Sequence, residues 1–173
     1  MAKSPKKDKS DAAPATAPVA APPAPDGNGT APSLNVLAQY VKDFSFENPN
    51  APATLAAGPK NPQIQIQINV NAKKIGDTEY EVELDLGAEA IEDEKVIFKV
   101  ELVYAGMMRV QNIPEQNLQA IVLVECPRIL FPFARQIIAE ATRNGGYPPL
   151  LLEPIDFMAL FQQKAAKEAQ GTA

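Results

Sequence analysis

The chain has 173 residues, 46% hydrophobic and 21% charged, with 21 acidic against 16 basic side chains for a net charge of -5. It has one cysteine and no histidine, which excludes Ser-His-Asp and Cys-His nucleophiles, a histidine general base, the usual Cys/His zinc site and an intrachain disulfide. The acidic balance argues against nucleic acid as a partner, because phosphate contacts need a basic surface, and favours a basic one.

Residues 1–33 hold nine Ala and seven Pro, no aromatic side chain, and only Met1 and Val19 as larger apolar groups. Such a segment cannot bury enough surface to offset its ordering entropy, so a disordered arm of polyproline character is expected. Lys3, Lys6, Lys7 and Lys9 against Asp8, Asp11 and Asp26 give the arm a charge of +1, which leaves -6 on the remainder of a chain whose total is -5. An Ala/Pro tract stands where a signal peptide would place a Leu-rich run. The longest apolar runs, such as Ala120 to Val124, fall far short of the roughly 20 residues that cross a bilayer. A cytosolic address without membrane insertion is expected.

One domain is expected over residues 34–162. From Leu34 to Phe46 the even positions are mostly apolar (Leu34, Val36, Ala38, Tyr40, Phe44, Phe46) and the odd ones largely polar, the pattern of a half-buried strand. Asn48 to Pro62 is rich in proline and predicts a long loop. Gln63 to Val70 alternates Ile64, Ile66, Ile68 and Val70 with Gln and Asn, and Glu79 to Leu86 alternates Tyr80, Val82, Leu84 and Leu86 with acids. After a polar turn through Glu92-Asp93-Glu94, a fourth strand starts near Lys95, with Gly106 expected at a bulge or bend. Four successive strands suggest an antiparallel meander.

The period then changes. Glu115 to Glu125 and Ile129 to Arg143 are helix-spaced, with Pro127 expected to break the run and Asn144-Gly145-Gly146 to stop it. Asp156 can cap a last helix carrying Phe157, Leu160 and Phe161, before residues 163–173 fray as a polar tail. The fold class is α+β: a four-stranded antiparallel sheet followed by helices on one face. The helices are apolar on nearly all sides, more than one sheet face can cover, so a homo-oligomer is expected.

Asp77 to Glu101 holds ten acids and two Lys, mostly at the odd, outward positions. That is either a solvated sheet face or a docking surface for basic side chains, to which Asp43 and Glu47 add. Those two would stand roughly 13 Å apart on one strand, too far for paired acid/base work. No phosphate loop or dinucleotide fingerprint occurs, so no nucleotide or other cofactor and no metal is expected. Cys126 reads as a buried structural thiol. A small-molecule-binding or carboxylate-dependent enzyme using Asp43 or Glu101, and a passive oligomeric scaffold, are the competing readings.

Three segments carry a resemblance: Lys42-Asp43-Phe44-Ser45-Phe46-Glu47-Asn48-Pro49-Asn50-Ala51-Pro52, Cys126-Pro127-Arg128-Ile129-Leu130-Phe131-Pro132-Phe133-Ala134-Arg135, and Tyr147-Pro148-Pro149-Leu150 with Leu152-Glu153-Pro154-Ile155-Asp156-Phe157. Together they closely resemble the bacterial SecB protein-export chaperones over about residues 35–162. The resemblance implies a homotetramer built as a dimer of dimers, an ATP-independent holdase and no enzyme. Such a protein binds unfolded precursor proteins and delivers them to the translocase motor SecA. It implies SecA docking, through a basic zinc-binding C-terminal tail, at Asp43, Glu47 and Glu101. It implies a client groove near Phe44, Leu55, Phe98, Leu102, Tyr104, Phe157, Leu160 and Phe161, and an oligomer interface drawing on Val100, Leu123, Ile129, Phe133 and Ile137. Two departures from the family stand out: Ala105 where the family tends to have Gly, and Leu55 as the one bulky apolar residue between Ala53 and Gln63.

Overall fold

A computed structural model describes residues 31–58 and 60–170; most of the expected arm lies outside the described residues. The chain forms β1 (Ser33–Glu47), α1 (Ala53–Ala57), β2 (Gln63–Lys74), β3 (Glu79–Glu92), β4 (Lys95–Gln111), α2 (Glu115–Ala120), a π-helical turn (Ile121–Glu125), α3 (Cys126–Asn144) and α4 (Phe157–Gln170). The α+β class stands, with all four strands in one antiparallel sheet.

The strand order is β1-β4-β3-β2, so the expected meander is corrected to a Greek key. β2, β3 and β4 succeed one another through tight turns. Between β3 and β4 lie only Asp93 and Glu94, at φ 48° and 62°, and positive φ at both central residues matches a hairpin's twist. β1 is joined to β2 by the long Asn48–Pro62 connection, which crosses the sheet end and leaves β1 to pair with β4. β3 runs past the expected end at Leu86 to Glu92, because Gly87 stays in register between Gln67 and Glu101.

Even-odd alternation in β1 fails at two places. Register shifts between Val36 and Ala38 and between Val41 and Asp43 insert Leu37 and Lys42 as extra residues, and each extra residue reverses the facing of the side chains after it. Leu34, Val36, Gln39, Val41, Phe44 and Phe46 therefore share the helix side of the sheet, while Ala38, Tyr40, Asp43, Ser45 and Glu47 share the outer side. Gly106 is not the bulge. A Cβ there would lie 2.8 Å from Leu130 Cδ2 and 2.7 Å from Met108 Cε, so the glycine allows α3 to approach β4 closely.

Pro127 does not break the helical segment, which runs from Glu115 to Asn144. The Cys126 N–H bonds back to the Ile121 carbonyl, five residues away, and this wider turn makes room for Pro127, which has no donor to continue the ladder. Gly145 and Gly146 end α3, with Gly146 at φ 92°. α4 is capped by Asp156 Oδ1, which accepts from the Ala159 N–H at 3.0 Å. α4 extends past residue 162 to Gln170, and Lys164 Nζ donates to the Val70 carbonyl of β2 at 3.2 Å.

The core lies between the helix side of β3 and β4 and the segment Val122–Ile138, with Leu84, Leu102, Leu130, Ile138 and Phe157 fully buried. Each such side chain contributes roughly 1.5–3 kcal/mol by its transfer from water. A second cluster at the sheet end joins Phe46, Phe98 and Tyr147, with ring centroids 6.0 Å and 5.3 Å apart in succession.

Candidate binding surfaces

The outer side of the sheet carries no helix. Antiparallel pairing sets Asp43 opposite Val103, Ser45 opposite Glu101 and Glu47 opposite Lys99. Glu101 therefore projects between Asp43 and Glu47 from the neighbouring strand. On its other side Glu101 faces Gly87, and the missing side chain opens a shallow concavity of about 450 Å³ lined by Asp43, Gln67, Asn69, Asp85, Gly87 and Glu101, among others. The three acids expected to act together are thus brought onto one face, by register rather than by sequence proximity.

Two networks share this face. Lys99 Nζ pairs with Glu101 at 2.9 Å, and this hydrogen bond holds the Lys99 pKa above its ordinary value. Lys42, projecting from the second bulge of β1, bridges Glu81 and Glu83, and Tyr40 donates to Glu81. The Tyr40 and Lys42 hydrogen bonds lower the Glu81 pKa. Sequence reasoning missed this cluster, because Lys42 sits at an even position and the bulge that turns it outward leaves no sequence signature.

Around the helix side the expected groove residues separate. Phe98, Leu102, Tyr104 and Phe157 are buried within the protomer, as is Val100 of the expected interface. Val100, Leu102 and Tyr104 of β4 and Phe157 of α4 belong to the main core cluster, and Phe98 packs with Phe46 and Tyr147 at the sheet end. Leu160 and Phe161 remain partly exposed and join Ile68, Val70 and Leu123 around a cavity of about 230 Å³, with Lys164 and Lys167 also lining it. Leu123, expected at an interface, therefore lines this cavity. Leu55 and Phe44 are exposed; Leu55 lies in α1 beside Gly146.

A separate apolar strip runs along β1. Val36, Val41 and Phe44 lie on the helix side beyond the reach of α3 and are 39%, 47% and 43% exposed. Val41 faces Tyr104, and Tyr104 stacks on Phe133, which is itself 47% exposed. Ile129 and Ile137 of α3 are partly buried. No described helix is long and apolar enough to cross a membrane, and among the described residues no group of three or more Asp, Glu or Cys side chains is placed to hold a metal ion.

A four-stranded antiparallel sheet backed on one side by helices is a fold shared with a solved SecB-like chaperone. A Mycobacterium tuberculosis SecB-like chaperone, solved with a peptide from an antitoxin, superposes with a TM-score of 0.58 at 13% identity, covering 70% of this chain and 90% of that one. The family profile described as preprotein translocase subunit SecB matches residues 27–168. Protein-export protein SecB of Xanthobacter autotrophicus is 61% identical over 140 residues, 81% of this chain and 90% of the relative. That of Azorhizobium caulinodans is 55% identical over 143 residues, 83% of this chain and 89% of the relative. The chain belongs to the SecB family of protein-export chaperones.

Proposed function

We propose that this chaperone is an ATP-independent holdase of the cytosol that binds unfolded precursor proteins and hands them to SecA. A ligand that binds the unfolded chain and not the native one shifts folding by mass action, and it needs apolar surface and backbone partners rather than turnover chemistry. The cavity between β2 and α4, with Leu160 and Phe161, and the exposed Phe44 and Leu55 offer such surface. The complex of the M. tuberculosis SecB-like chaperone with a peptide supports a polypeptide client. The apolar strip of Val36, Val41, Phe44 and Phe133 supports a homotetramer, formed as a dimer of dimers, in which a second copy covers β1 and α3.

The observation that carries the SecA assignment is the placement of Glu101 between Asp43 and Glu47 on the bare sheet face. A basic, zinc-holding tail would meet several exposed carboxylates at once; each pair contributes little alone, and together they steer association. Refolding a slow-folding precursor without ATP, at increasing protomer ratio, tests the holdase: arrest near a ratio of about four is expected for a tetramer that encloses one client. Changing Asp43, Glu47 and Glu101 together to Ala is expected to abolish SecA-tail binding at low salt while leaving refolding arrest intact. Unchanged tail affinity would reject the docking surface.

A further inference from the structure

The outer face of the sheet holds more carboxylates than its Lys42 and Lys99 pair with, and the start of the chain is rich in lysine. Asp43 and Asp85 flank the concavity beside Glu101, and no described Lys or Arg lies within ion-pair distance of either. Asp85 Oδ2 accepts from Asn71 Nδ2 at 3.1 Å, while Asp85 Oδ1 is shielded from solvent with no hydrogen-bond partner. A shielded carboxylate oxygen left unpaired is costly, and a donor entering the concavity would relieve it. Against this, the first nine residues carry Lys3, Lys6, Lys7 and Lys9 with Asp8 as their one acid.

Connection and length agree with the charges. The arm joins the sheet at β1, where Asn112 Nδ2 donates to the Ala31 carbonyl at 3.1 Å. Between Lys9 and Ser33 the Pro-rich sequence can span up to roughly 70 Å. From Ser33, opposite Gln111, to the concavity beside Val103 is roughly 30 Å along β4. Tethering places the lysines at an effective concentration in the millimolar range, enough for contacts too weak to persist between separate molecules.

We propose that the Lys3–Lys9 segment docks on the outer face of its own protomer's sheet, around Asp43, Asp85 and Glu101, as an internal competitor for basic partners. The contact itself stands apart from the SecA assignment; only its consequence for SecA rests on that reading. A partner must then displace the arm, which sets a threshold that weak basic segments do not pass.

The test uses the full chain with a spin label on Ser4→Cys, Cys126 being buried. At low ionic strength the label is expected to broaden the methyl signals of Val103 and Ala105 on the outer face more than those of Val36 and Val41. Salt at about 0.5 M, where screening acts over roughly 4 Å, and the combined change of Lys3, Lys6, Lys7 and Lys9 to Gln should each remove the difference. A synthetic peptide of residues 1–12 added in trans should bind the four-Gln chain about three- to tenfold more tightly than the unchanged chain, and Asp85→Asn should weaken that binding. Equal broadening in the Lys and Gln forms, or equal peptide affinity, would overturn the proposal. Neither readout involves SecA, so loss of SecA docking alone would leave both intact.

Discussion

The Tyr147 hydroxyl donates to Asn48 Oδ1 at 2.8 Å, across 99 residues of chain. The same hydroxyl meets Thr54 Oγ1 at 3.0 Å, and Asn48 Nδ2 donates to the Gly145 carbonyl at 3.3 Å. One phenol thus ties the end of α3 to both the start of the β1–β2 connection and α1 within it. The connection that lets β1 reach β4 is fastened by a residue outside it.

Tyr147→Phe keeps the ring against Phe98 and removes the hydroxyl. It is expected to cost about 1–2 kcal/mol and to raise amide exchange across residues 49–58 more than in β4. Urea unfolding with hydrogen-exchange mass spectrometry reads both, and a loss of stability without the local exchange change would contradict the fastening role.

Phe133 and Val100 should part company, although both were expected at an interface. Phe133→Ser removes exposed apolar surface and is expected to shift assembly toward smaller species in sedimentation equilibrium with the protomer still folded. Val100→Ala opens a cavity in the core, since Val100 is fully buried, and is expected to lower stability by roughly 1–3 kcal/mol with assembly unchanged at native temperatures.

Gly106→Ala places a Cβ 2.7 Å from Met108 Cε and 2.8 Å from Leu130 Cδ2. Both are side-chain ends, yet both belong to fully buried residues. The expected cost is about 1–3 kcal/mol, visible as a lower thermal midpoint. Adding Leu130→Ala removes one of the two clashing groups, so the double variant should lose less stability than the sum of the single losses.

Burial pushes the Cys126 thiol up to about 12, with Glu125 adding to the effect. A group whose folded pKa is raised stabilises the native state fully below its unfolded pKa and loses that contribution as pH rises toward the folded value. The native chain should therefore lose stability between about pH 9 and 12, and Cys126→Ala should flatten that part of the profile. At pH 8 the native thiol should react with a disulfide reagent at least about a hundredfold more slowly than in urea.

Periodicity sufficed for the existence of the four strands and of helix on either side of Pro127, and Asp156 for its cap, because alternation and capping are local rules of geometry; that the helix runs on through Pro127 was not legible. Asp43, Glu47 and Glu101 were legible as a set because the two β1 acids both come after the second bulge and keep a common parity. Lys42 was not, because a bulge is fixed by how β1 fits β4 and not by its own residues. The burial of Phe98, Leu102 and Phe157 was not legible for a related reason: an apolar side chain reads the same in sequence whether it faces a helix or water.

The sequence by itself determined the α+β class, the acidic character of one sheet face, the basic start of the chain and the kinship carried by its three motifs. These rest on residue type and spacing, which act over a few neighbours. Only the tertiary structure decided the Greek-key order, the two reversals of facing in β1, and which apolar residues are sealed in the core and which are left open. Those depend on contacts such as Tyr147 with Asn48 and Glu101 beside Ser45, made between segments far apart in the chain. Their closure is driven by total burial and backbone pairing rather than by any local preference.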